Sequence, residues 1–76
     1  MKNGNYTLTD GWGNYFYITL NKEGKSTFYD PKTDSSNPDY AYDQAISFIQ
    51  FFINDLESEV SLDGEIISPY GKEGLA

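Results

Sequence analysis

The chain has 76 residues and a net charge of −7, from twelve acids against five lysines, and it contains no Cys, His or Arg. That size holds one domain burying only about 60% of its unfolded surface, without disulfides, and catalysis by an imidazole base or a thiolate is excluded. The charge also works against direct nucleic-acid binding, which depends on cationic neutralisation of phosphates.

The opening MKNGNYTLTDGWG lacks the basic-then-apolar pattern of a signal peptide. No apolar stretch approaches the ~20 residues of a membrane span, so a cytoplasmic, membrane-free protein is expected. Asn5-Tyr6-Thr7 matches a glycosylation sequon and reads as coincidence without secretion signals. Residues 6–9 and 15–20 alternate in hydropathy around the turn cluster Asp10-Gly11-Trp12-Gly13-Asn14. After the turn Asn21-Lys22-Glu23-Gly24 comes a third alternating run, 26–30. A β-meander over residues 1–30 follows. Its core face carries Leu8 or Tyr6, Phe16, Ile18, Leu20 and Phe28, with Tyr15, Tyr17 and Tyr29 on the other face.

Residues 30–37, DPKTDSSN, have turn chemistry throughout and read as a surface connection. Pro38 fits the first turn of a helix capped by Asn37, with Asp39 just inside. The expected helix spans 38–57, with Tyr42, Ala45, Ile46, Ile49, Phe52, Ile53 and Leu56 as one buried stripe. Residues 59–68 alternate around Asp63-Gly64, a two-residue hairpin signal, which pairs Val60 with Ile67. Residues 70–76 read as a frayed tail. The expected fold is therefore a single α+β domain: an antiparallel β-meander of three strands packed by one long α-helix, followed by a short C-terminal β-hairpin.

No phosphate loop, dinucleotide fingerprint or nucleophile elbow occurs. The acids of residues 30–39 do not match the spacing of a calcium loop, so neither a metal nor any other cofactor is expected, and the chain does not read as an enzyme. The charge is uneven: residues 1–32 carry four Lys against Asp10, Glu23 and Asp30, while residues 33–76 carry nine acids against Lys72 alone. Asp39 and Asp43 near the helix start are explained by the helix dipole, at roughly 0.3–1 kcal/mol each. Asp55, Glu57 and Glu59 lie at the opposite pole of that dipole with no lysine at helical spacing. They break a local rule without compensation, where functional residues are expected. Asp63 and Glu65 extend the acidic run into the hairpin. At ~100° per residue, Phe51 points away from the buried stripe beside Asp43, with Tyr40 on the same side and Phe48 on the flank.

In size, charge, α+β pattern and missing catalytic groups the chain resembles the small acidic inhibitors that phages use against host defence systems, anti-CRISPR proteins and DNA mimics among them; no motif carries that resemblance. It implies a stoichiometric inhibitor whose carboxylates meet the basic surface of a nucleic-acid-binding protein or complex, with aromatic anchors between them. The expected contact residues are Asp43, Asp55, Glu57, Glu59, Asp63, Glu65, Tyr40, Phe48 and Phe51. Two alternatives use the same residues: an accessory module that docks or forms a homodimer through Tyr40, Phe48 and Phe51, and an immunity protein for a nuclease toxin.

Overall fold

The computed structural model describes residues 1–69. Its elements, in order, are β1 (Gly4–Thr9), β2 (Tyr15–Leu20), β3 (Ser26–Asp30), β4 (Ser35–Tyr40), α1 (Tyr42–Asn54), β5 (Val60–Leu62) and β6 (Glu65–Ser68). The six strands form one antiparallel sheet in the order β4-β3-β2-β1-β5-β6. This corrects the expected three-stranded meander with a detached hairpin. The meander runs outward from β1 to β4; α1 then recrosses one face of the sheet, and β5 pairs with the free edge of β1.

The local chemistry explains each departure. Residues 35–40 form the polar edge strand β4 instead of a loop and helix start, because the four-residue turn after Asp30 returns the chain into register, with Asp30 opposite Ser35 and Tyr29 opposite Ser36. Pro38 falls in the irregular stretch of that pairing, on the edge strand, where its missing N–H breaks no interior ladder. Asn37 accepts a hydrogen bond from the Asp39 N–H (3.0 Å) and so does not cap the helix. The helix begins four residues later than expected, behind Ala41, which offers no side-chain cap, and Asp43 is the acid of its first turn. Only 42–54 of the expected 38–57 is helical.

The core lies between α1 and one sheet face. Tyr6 and Leu8 of β1, Ile18 and Leu20 of β2, Ala45, Ile49 and Phe52 of α1 and Val60 of β5 are buried. Burial of a large apolar side chain contributes ~1.5–3 kcal/mol. Both Tyr6 and Leu8 therefore serve, as expected of residues two apart on a strand, and the Tyr6 hydroxyl donates to the Lys2 carbonyl. Burial is the main cause that raises the Tyr6 phenol above its ordinary range. Phe16, Phe28, Tyr40 and Phe48 extend this core as a ring cluster, with Phe48 5.7 Å from Phe16, 5.5 Å from Phe28 and 5.1 Å from Phe52. Leu56, placed in the buried stripe by periodicity, lies beyond the helix end and is exposed.

The Asp63-Gly64 turn forms with both residues at positive φ, 51° and 86°, as a two-residue hairpin of the primed type requires. Its register differs from the expectation: Val60 faces Ser68, not Ile67, across an irregularity next to Ser61. Asp63 fixes the hairpin to β1, donating its N–H to the Asn5 carbonyl (2.8 Å) and accepting the Asn5 N–H (3.0 Å). Because the hairpin extends the sheet sideways, it does not cover Tyr15, Tyr17 and Tyr29. The expected tail, 70–76, lies outside the described residues.

Candidate functional site

In an antiparallel meander alternate turns fall at the same end of the sheet. Thr9 pairs with Tyr15 and Asp30 with Ser35, so the turns 10–14 and 31–34 are neighbours; Lys32 Nζ donates to Asn14 Oδ1 (3.0 Å) across them. The exit of α1 joins the same end, because β5 starts where Leu8 faces Val60 and the Thr9 N–H donates to the Glu59 carbonyl (3.3 Å). Among the described residues, folding thus collects Asp10, Asp30, Asp34, Asp55, Glu57 and Glu59 at one end against Lys32 alone, a side-chain net of −5. The opposite end holds Glu23, Asp39, Asp43, Asp63 and Glu65 against Lys2, Lys22 and Lys25, a net of −2.

The six expected acidic contact residues are therefore divided. Asp55, Glu57 and Glu59 stay together, whereas Asp43, Asp63 and Glu65 lie at the far end, one six-residue strand away, or ~20 Å. Of the three expected aromatic anchors, only Phe51 is an exposed helix side chain, 47% accessible and edge-on to Phe52 at 6.1 Å. Phe48 turns into the ring cluster. Tyr40 is not on the helix: it ends β4 with its ring 5.5 Å from Phe28, and burial raises its phenol pKa.

The acids of this end differ in what holds them. The Asp10 carboxylate accepts the Asn14 side-chain amide and the N–H groups of Trp12 (2.8 Å) and Asn14 (3.3 Å). These bonds, the Asn14 side chain foremost, hold its carboxyl below the usual aspartate range. Asp30 accepts from the Lys32 N–H and the Thr33 hydroxyl, and Asp34 from the Tyr29 hydroxyl. The Asp34 bond is the main cause that raises the Tyr29 phenol. Asp55, Glu57 and Glu59 have no such explanation: among the described residues no side-chain hydrogen bond or ion pair engages their carboxylates.

Glu57 is also conformationally strained. The helix closes through Asp55 N–H to Phe51 O (2.9 Å), Leu56 N–H to Phe51 O (3.1 Å) and Ser58 N–H to Phe52 O (2.9 Å). That reversal puts Glu57 at φ 49°, the left-handed position that glycine ordinarily fills after a helix.

The residue that sequence periodicity could not place is Trp12. It is 88% exposed at the tip of the β1–β2 turn, between Gly11 and Gly13 at φ 86° and 89°. The Asp10 hydrogen bonds fix this turn, so Trp12 is presented at the acidic end on an ordered support. Its signal was the Gly-Trp-Gly sequence inside a turn; its meaning depended on which other segments share that end.

The described residues enclose no cavity, contain no group of three acids placed to hold a metal ion, and include no helix long and apolar enough to cross a membrane. What remains is convex surface chemistry: a carboxylate field around a protruding indole. Comparison of the chain with protein-family models, curated proteins and solved structures finds no match.

Proposed function

We propose that this protein is a stoichiometric inhibitor, working in the cytoplasm, that binds the basic surface of a nucleic-acid-handling protein or complex through the acidic end of its sheet. The observation that carries the reading is the conjunction at that end of a side-chain net charge of −5 with Trp12, 88% exposed on an ordered turn. Carboxylates aligned on Lys and Arg replace phosphates and accelerate encounter; an indole entering an apolar recess supplies the desolvated anchor that charge alone lacks. Asp55, Glu57 and Glu59 are the acids free to make new contacts, and Phe51 flanks them from the last helical turn. The resemblance in type to small acidic phage anti-defence inhibitors agrees with this reading.

The division of acids between two ends supplies an internal control. Immobilised protein is used to capture nucleic-acid-binding complexes from lysate, and release by competing duplex DNA, by RNA and by rising salt is measured. Changing Asp55, Glu57 and Glu59 together to Lys should abolish capture, while Asp43→Lys with Glu65→Lys should leave it intact. Trp12→Ala should weaken binding about 30-fold, the 2 kcal/mol threshold of a hot spot. Capture that survives the first reversal, or is indifferent to salt and to competing nucleic acid, would sink the proposal.

A further inference from the structure

Among the described residues nothing covers the sheet face opposite α1, and its composition is unusual for so acidic a protein. The strand pairs Ile66–Ser61, Ser61–Thr7, Thr7–Tyr17, Tyr17–Tyr29 and Tyr29–Ser36 link into one row that crosses all six strands. Paired residues share a face, so this row lies entirely on the open side, and it contains no Asp, Glu or Lys. Tyr15, Tyr17, Tyr29 and Ile66 on this face are 47%, 43%, 37% and 56% exposed, and the Tyr17 and Tyr29 rings stack at 6.4 Å. The neutral surface thus occupies the middle of the face, while the charges named above sit at its two ends.

We infer that this face is the interface of a homodimer, with a second copy of the chain stacked on it sheet to sheet. Three features favour a second copy. A central row without carboxylates is the part of the surface on which two chains of net charge −7 can meet with the fewest like charges in contact. The two-fold axis that runs across the strands lays the acidic end of one copy, net −5, beside the end of the other that carries Lys2, Lys22 and Lys25, net −2, which keeps the two most acidic ends apart and lessens the repulsion between copies. The size also fits: strands of three to six residues at ~3.3 Å per residue and about 4.8 Å apart give roughly 500 Å² of plane before side-chain relief is added. That is the order of the ~800 Å² of accessible surface per partner in a stable interface. Tyr enrichment with charge depletion is the composition of an interface centre, and a second layer is what a sheet covered on one side lacks. Trp12 and the unpaired acids lie at the end of the sheet, so the dimer would present two copies of the surface proposed above.

Sedimentation and light scattering of the free protein over a concentration series test this without any partner. The expected species has twice the 8.6 kDa chain mass and dissociates on dilution. Its dimer constant should tighten severalfold as salt screens the net repulsion between copies, the opposite of the salt response expected for docking on a basic partner. Tyr17→Lys, at the centre of the row, should give a monomer with an unchanged far-UV circular dichroism spectrum. Ile66→Lys, on the outermost strand of the same row, serves if the first variant does not fold. Phe51→Lys, on the helix side, should leave the dimer intact. A wild-type monomer at every concentration overturns the inference, as does a dimer that survives both row variants or is lost in Phe51→Lys. Because only self-association is read, these outcomes are separate from success or failure of the inhibitor proposal.

Discussion

Replacing Glu57 with Gly should make the protein more stable and, under the proposed function, a poorer binder. An L-residue in the left-handed region costs about 1–2 kcal/mol, and Glu57 holds φ 49°. Gly removes that cost and returns about 0.4–1 kcal/mol to the unfolded chain as conformational entropy, leaving roughly 0.5–1 kcal/mol. Removing a carboxylate from the negative pole of α1 adds a contribution toward the lower end of ~0.3–1 kcal/mol, since the side chain is half exposed. The sum, about 1 kcal/mol, corresponds to roughly 4–8 °C in Tm for a domain of this size. Thermal melts followed by circular dichroism at neutral pH would measure it. Glu57→Gln, which keeps the side chain and removes only the charge, isolates the dipole part; Glu57→Asn, which tolerates the left-handed region, should fall between Gln and Gly. A Gly variant no more stable than the Gln variant would refute the strain argument. Strain and charge that reduce stability at one residue persist most readily where they serve contact.

Two further outcomes follow. Because hydrogen bonds to its ionised form depress the Asp10 carboxyl, their contribution is present above the usual aspartate pKa of about 3.9 and is lost as pH falls through the lower folded value. Trp12, the single Trp, should then show a drop in fluorescence anisotropy with its midpoint below 3.9; Asp10→Ala should show low anisotropy at all pH values. Gly4→Ala should destabilise by ~1–3 kcal/mol in chemical denaturation, because φ 151° is a conformation that a residue with a Cβ rarely adopts, and that Cβ would also displace the ends of the Leu62 and Asp63 side chains, 2.7 Å and 2.9 Å away. An unchanged midpoint would refute the backbone-strain argument.

The strands β1 to β3 were legible because alternation and turn residues coincide there, and the Asp63-Gly64 turn because few other structures favour that dipeptide. β4 was not. Its sequence, SSNPDY, has little strand propensity before Tyr40 and holds a proline; pairing with β3, a tertiary fact, makes it extended. Reading Pro38 as a helix start then moved the helix boundary by one turn and put Tyr40 on the wrong element. The wheel that placed Phe48 on the flank was sound, but the polar β4 supplies little apolar cover beyond Tyr40, so the ring cluster draws Phe48 inward. Of the candidate site, the unpaired acids at the helix exit could be found from dipole rules alone. Their company could not, since Asp10, Trp12, Asp30 and Asp34 are distant in sequence and meet Glu59 only through the sheet order.

That order has a consequence for how the chain is completed. β1 is the first strand to be synthesised, yet its second edge is filled only when β5 arrives, with most of the sequence in between. Until then the Tyr6 and Leu8 strand offers unsatisfied backbone groups to any extended segment nearby, the condition for misassembly during synthesis. A chain ending before residue 60 is thus an open template and not a smaller version of the protein. By the same logic, a separate peptide spanning residues 58–69 should bind such a truncated chain by strand addition, which would allow the folded state to be assembled on demand from two pieces.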